Sequence, residues 1–330
     1  MNGARWLAPG LAMASIIAVF VACLLGSTPL PADRVFAAFI GGAEPGDRLV
    51  VWSIRLPRAL AAFLVGTALG LSGAALQGLL RNPLAEPGVL GVSATASLAA
   101  TFSLYYGFVS VNPWILPLAA IAGALVATAL LAVAAIRTRS VVTLILIGVG
   151  LSSFAGALMS LLMNLAPNPF SLSDMINWML GSVANRSFDE IGLALPFLIA
   201  GGGILLVTGR GLSALTLGEE AASGVGLNLL NQRIFTVLGA GLATGASVAL
   251  AGAIGFVGIV APHLIRPFVG HDPARSLIPS ALLAGLILVI ADIGVRIIPT
   301  DNELKLGVVA ALIGAPVFVW IAMQRRAVHD

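Results

Sequence analysis

Long apolar runs, separated by short polar, proline-rich or glycine-rich breaks, fill the chain from residue 6 to residue 324. A helix rises ~1.5 Å per residue, so about 20 apolar residues cross the ~30 Å hydrocarbon layer of a bilayer. Runs of that order fall at 6–26, 56–79, 90–108, 113–136, 141–165, 191–208, 234–252, 254–269, 276–297 and 306–324, and predict ten membrane-spanning helices. The eighth run is short and holds Pro262, which predicts a broken or partial crossing. The stretch 170–181 is amphipathic and too short to span, and reads as an interfacial helix. The first run exceeds the apolar core of a secretory signal, so it reads as a span.

An even number of spans puts both termini on one side. With the termini cytoplasmic, ten of the 17 Lys and Arg residues lie inside. Arg34, Arg48, Arg55, Arg58, Arg186, Arg296 and Lys305 lie outside. The positive-inside rule favours this orientation by a narrow margin. Seven outer cations need a reason.

Composition narrows the class. Of 330 residues 59% are apolar and 9% charged, where a soluble domain carries about 25% charged residues. Mean hydropathy is +1.05. A soluble enzyme is excluded. A net charge of +3 without a basic patch excludes a nucleic-acid binder. Cys23, the one cysteine, rules out an intrachain disulfide and a multi-thiolate metal site. His263, His271 and His329 show no ligand spacing, and no metal site is expected. Lys305, the one lysine, sits in Glu303-Leu304-Lys305-Leu306-Gly307, so the Gly-Lys-Ser/Thr phosphate loop is impossible. Any nucleotide that drives this protein is bound by another chain.

Four features carry more. Gly66-x-x-x-Gly70 and Gly241-x-x-x-Gly245 suit close helix packing and hint at a repeat relating spans 2–5 to 7–10, in a register that Ser72-Gly73-Ala74 and Thr244-Gly245-Ala246 contradict. Residues 77–88 hold two prolines and forbid continuous helix; they line a pathway or form an ordinary turn. The inner loop 209–233 is helix-favouring and acidic around Glu219 and Glu220, and is either a solvated surface helix or one that docks a cytoplasmic partner. On the outer face Arg55 and Arg58 open span 2 and Arg296 follows Asp292 by four residues, a spacing that allows an ion pair. These arginines either snorkel to head groups or receive carboxylates of a soluble partner.

At these stretches the chain resembles the FecCD/BtuC-type permeases, membrane subunits of binding-protein-dependent ABC importers for iron-siderophores, haem and cobalamin. The resemblance rests on Arg55-Leu56-Pro57-Arg58, on Asn82-Pro83-Leu84-Ala85-Glu86-Pro87-Gly88 through Ser93, and on Gly255-Phe256-Val257-Gly258 through Arg266. Ala291-Asp292-Ile293, Glu303-Leu304 and Gly307 through Pro316 follow in family order, so it covers residues 50–323. It implies an all-α ten-span permease with cytoplasmic termini and a BtuC-like fold, residues 1–330 forming one transmembrane domain with a coupling loop at 209–233. It further implies a homodimer in the lipid of the bacterial inner membrane, two separate ABC ATPase subunits that carry ATP and Mg, and a periplasmic substrate-binding protein.

By the same resemblance Arg55, Arg58 and Arg296 meet glutamates of the binding protein. Glu219, Glu220, Ala221, Ala222 and Gly226 fall on the coupling helix. Asn82 and Leu84, with Ser140, Val141 and Val142 in the 139–143 turn, fall at the cytoplasmic gate. Two departures stand out. Lys305 replaces the family's proline before span 10, and the usual apolar-proline ending does not follow Gly226 at its usual distance.

The expectation is therefore a non-enzymatic permease subunit of an ATP-driven importer of an iron-chelate, siderophore or haem, with cobalamin the alternative cargo and no cofactor on this chain. An ion-coupled secondary transporter is the more distant rival. It calls for ionisable residues near the midplane, and of the carboxylates only Asp292 comes close. A structural scaffold fits poorly with two proline-broken segments.

Overall fold

The computed structural model describes residues 3–26, 29–138, 140–298 and 303–324. Every regular element among them is helical: α1 (Gly3–Leu24), α2 (Ala32–Ile40), α3 (Pro45–Leu49), α4 (Leu56–Leu79), α5 (Val92–Tyr105), α6 (Phe108–Val111), α7 (Ile115–Arg137), α8 (Val141–Asn164), α9 (Pro169–Met179), α10 (Phe188–Ala214), α11 (Glu219–Gly224), α12 (Leu229–Ala251), α13 (Val257–Ile265), α14 (Pro273–Ile297) and α15 (Leu306–Gln324).

Seven helical stretches among the described residues are long and apolar enough to cross a membrane. They contain α1, α4, α7, α8, α10, α12 and α14 and coincide with seven of the ten predicted runs. The runs at 90–108, 254–269 and 306–324 fold as α5, α13 and α15. α5 has 14 residues and α13 nine, and a 14-residue helix covers only about 21 Å. α5 thus falls short of the full crossing its run predicted, whereas the short α13 fits the broken or partial crossing expected of the eighth run. Each begins after a break in the α-helix, residues 80–91 (with one 3-10 turn at Pro87–Leu90) before α5 and 252–256 before α13. The predicted interfacial helix appears as α9, capped by Asn168 Oδ1, which accepts from Ser171 N at 2.9 Å.

Helices α2 and α3 have no counterpart in the hydrophobic pattern. They are short, and bury little more than Val35 and Ala38 against Cys23 and Val51. Arg34 Nε to Asp47 Oδ2 at 2.5 Å ties one to the other. α3 enters α4 through a π turn, Val50–Arg55. Pro57 has no N–H for the carbonyl four residues back, and the wider turn lets Leu56 N reach Val51 O instead.

Small residues set the packing. A Cβ on Gly66 would overlap the Ala284 carbonyl of α14, and one on Gly70 would lie 2.5 Å from Ser280 O. Gly241 and Gly245 place α12 against Thr128 and Ala124 of α7 in the same manner. In both seams rising numbers on one helix meet falling numbers on the other, so both are antiparallel. If α4–α8 is equated with α12–α15, each glycine pair faces the counterpart of the other's partner, which is what the hinted repeat requires. α10 runs parallel to α4, with Gly202 beside Leu71 and Gly78 beside Leu212, and antiparallel to α12, with Gly201 beside Ala243 and Gly211 beside Gln232. α4 and α12 therefore point in opposite directions.

Candidate functional site

The three arginines singled out in the sequence come together at one end of the bundle. Carbonyls in the last turn of a helix lack intrahelical donors, and here arginines supply them. Arg55 Nη1 donates to Cys23 O at 2.8 Å and Leu24 O at 3.0 Å, and Arg296 Nη1 to Ala22 O at 3.0 Å. Asp292, with no solvent exposure, accepts from Arg58 Nε at 2.9 Å and Arg58 Nη2 at 2.7 Å. It also pairs with Arg296, as their spacing allowed, while Arg58 reaches Glu303 as well. The cluster joins α1, α4, α14 and the approach to α15.

Two of the three arginines are buried. Arg55 is 4% and Arg58 8% exposed. A buried guanidinium needs a carboxylate or carbonyls close by, and the chain supplies both. Among the described residues three cations face two carboxylates, Asp292 and Glu303, an excess of one positive charge.

The two breaks enter from opposite ends, because α4 and α12 are antiparallel, and they meet. Glu86 Oε2 accepts from Phe256 N at 3.1 Å. Phe256 sits at φ +66°, an uncommon conformation for a bulky residue, and the carboxylate anchors its amide. Ser152 Oγ of α8 donates to Gly88 O at 3.1 Å. Gly148 of α8 makes room for Leu90, and Gly314 of α15 makes room for Phe256.

Around this junction lies a cavity of about 310 Å³ lined by Glu86, Pro87 and Gly88, by Ser93 and Ser97 of α5, by Ser152 and Met159 of α8, and by Ala253 to Gly255. Non-helical backbone survives at membrane depth where it is buried or lines a cavity. The alternatives for residues 77–88 thus divide. Gln77 and Gly78 stay in α4, Arg81 and Asn82 are exposed, and Glu86 to Gly88 line the cavity. Glu86 was missed as a central carboxylate; its signal was an acid one residue before a proline inside an apolar stretch.

At the other end Asn82 Oδ1 accepts from Leu84 N at 3.0 Å and closes its own turn. Ser140 caps α8 by accepting from Thr143 N at 3.3 Å; Val141 is half-buried and Val142 exposed. No hydrogen bond joins these two groups among the described residues, and Arg139 lies outside them.

The loop expected at 209–233 is largely helical. α10 continues to Ala214 because Gly211 and Leu212 are buried, and α12 already begins at Leu229. The connection shrinks to 215–228 and carries α11. Glu219 pairs with Arg233 at 2.8 Å and Ala222 is buried, whereas Glu220, Ala221 and Gly226 are exposed. Two of the five predicted coupling residues thus serve the fold itself.

A sequence model described as the FecCD transport family matches residues 14–324. An uncharacterized ABC transporter permease protein, YvrB of Bacillus subtilis, is 38% identical over 94% of this chain and 91% of that protein. The vitamin B12 import system permease protein BtuC of Salmonella newport is 41% identical over 85% of this chain and 87% of its own length. A solved structure, described as an inward-facing conformation of an ABC transporter of metal-chelate type, matches with a TM-score of 0.84 at 28% identity, covering 97% of this chain and 99% of that one.

Proposed function

From membership of the FecCD transport family, to which this chain belongs, we infer that it is the permease subunit through which an ATP-driven importer brings a metal-chelate into a bacterial cytoplasm. The observation that carries this reading is the junction of two opposed breaks around a cavity at Glu86 and Phe256. Broken backbone survives at membrane depth where it is buried or lines a cavity, and here it lines one.

In this reading α5 and α15, with α13 as a partial crossing, bring the count to ten, and both termini are cytoplasmic. Two copies face each other across the pathway, with two ATPase subunits holding ATP and Mg beneath and a binding protein above. The excess positive charge of Arg55, Arg58 and Arg296 supports docking of an acidic surface at the outer end. Glu220, Ala221 and Gly226 offer the exposed part of an ATPase contact, with Glu219 and Ala222 supporting it from within. Asn82, Leu84, Ser140, Val141 and Val142 form the cytoplasmic gate. The 41% identity to a vitamin B12 permease supports a corrinoid cargo. The metal-chelate type of the structural neighbour suits an iron-siderophore or haem equally well.

The test is uptake of radiolabelled cobalamin, ferric siderophore and haem into vesicles holding the complete transporter. ATP-dependent accumulation of one chelate identifies the cargo, and accumulation of none refutes the reading. The purified chain alone should hydrolyse no ATP.

A further inference from the structure

At the end of the bundle opposite the arginine cluster, a second pocket of about 230 Å³ opens between the end of α4, the turn after α13 and the start of α14. Gln77, Arg81, Thr216, Arg266, His271 and Ser276 give it a polar wall that contains no carboxylate among the described residues. Asp272, next to His271, is engaged elsewhere: its Oδ1 caps α14 by accepting from Ala274 N at 2.9 Å and takes a hydrogen bond from Ser213. Arg266 Nη2 donates to Gln77 Oε1 at 2.8 Å, and Gln77 Nε2 donates to Gly258 O at 3.3 Å. That chain of bonds fixes the guanidinium against the wall. Thr216 and Ser276 spend hydroxyl contacts on Ser213 O and Ser280 Oγ, and the side chains of Arg81, Arg266 and His271 complete the polar wall.

The backbone supplies an independent observation. Arg81 has φ +48° and His271 φ +60°, and only two other non-glycine residues among those described are left-handed. Glycine or asparagine would make both turns at lower cost. Long donor side chains kept at strained positions, both on one pocket, point to a use for the side chains.

We propose that this pocket binds a phosphate group, carried by the headgroup of an anionic phospholipid or by a free phosphate anion. Paired phosphate oxygens match the fork of a guanidinium, and His271 closes the third side. Exposed Phe268, on the same turn as Arg266, gives an acyl chain an apolar flank.

The experiment uses the full chain in a maltoside detergent. Thermal unfolding is followed with phosphatidylglycerol, with phosphatidylcholine and with inorganic phosphate. Phosphatidylglycerol is expected to raise the midpoint and phosphatidylcholine to leave it unchanged. A rise with inorganic phosphate as well assigns the site to any phosphate anion; no rise assigns it to the lipid. Arg81→Asn and His271→Asn suit the left-handed backbone, so the unliganded midpoint should hold or increase. The same variants should weaken binding of the active probe by about tenfold, the loss expected for one charge-assisted hydrogen bond. Equal stabilisation by the two lipids, or wild-type affinity in both variants, overturns the proposal. If no probe binds but Arg81→Asn blocks assembly with the ATPase, the pocket receives a protein carboxylate and the phosphate assignment fails.

Discussion

The α4–α14 and α12–α7 seams are built on the same glycine spacing and end differently. Along α4, Gly66 and Gly70 bring α14 into backbone contact, and an ion pair, Arg58 to Asp292, then fastens one end of the seam; at the other end of α4, Gln77 bonds to Arg266 on the turn after α13. Along α12, Gly241 and Gly245 admit Thr128 and Ala124, and the Thr128 hydroxyl turns back to Ala124 O at 2.7 Å. No ion pair crosses that seam among the described residues. Close packing of small residues is thus enough to join two helices in lipid. Ions at the seam's end add register, and they place charge where another protein can feel it.

The comparison is most exposed at Asp292. Removing its carboxylate leaves Arg58 with Glu303 and Arg296 with the Ala22 carbonyl, and breaking a buried pair in this way costs about 3–5 kcal/mol. Asp292→Ala should lower stability by that order in chemical or thermal unfolding. A loss below about 1 kcal/mol, the scale of an exposed pair, would show that water already screens the cluster. A smaller effect tests whether the seams are equivalent. Gly70→Val and Gly245→Val should each cost about 1–3 kcal/mol through overpacking, measured as paired shifts in unfolding midpoint. Gly203, with nothing within 4 Å of an added Cβ, is the control. A large cost at Gly70 with none at Gly245 would break the equivalence.

The smallest expected effect concerns the breaks. Glu86→Gln keeps an acceptor for Phe256 N but loses the charge, a difference of about 1 kcal/mol. Glu86→Ala leaves the amide without that acceptor and should cost more. Amide hydrogen exchange at Phe256 reads both, and unchanged protection in the Ala variant would mean that the second break does not depend on the first.

Seven long helices were legible because a 20-residue apolar run has one comfortable solution in a bilayer, and the break after Leu79 was legible because two prolines cannot continue a helix. The ranges of α4 and the Asp292–Arg296 pair follow from local spacing. What escaped was non-local. No periodicity could reveal that Arg58 meets an acid 234 positions away, or that Glu86 meets the Phe256 amide 170 positions away. α2 escaped because nine residues with two buried positions leave almost no pattern. The inner connection was read too long because polar residues at 210–216 hid a helix end whose glycine and leucine are buried.

The packing of Gly66 against Ala284 also fixes an order of events during synthesis. A ribosome adds about 5–20 residues per second, so α4 emerges roughly ten to forty seconds before the helix that fills its glycine face. Through that interval a surface shaped for backbone contact has only lipid or the insertion machinery beside it. α12, by contrast, finds α7 already waiting. Slowing translation between residues 80 and 273 should therefore penalise assembly more than slowing it elsewhere.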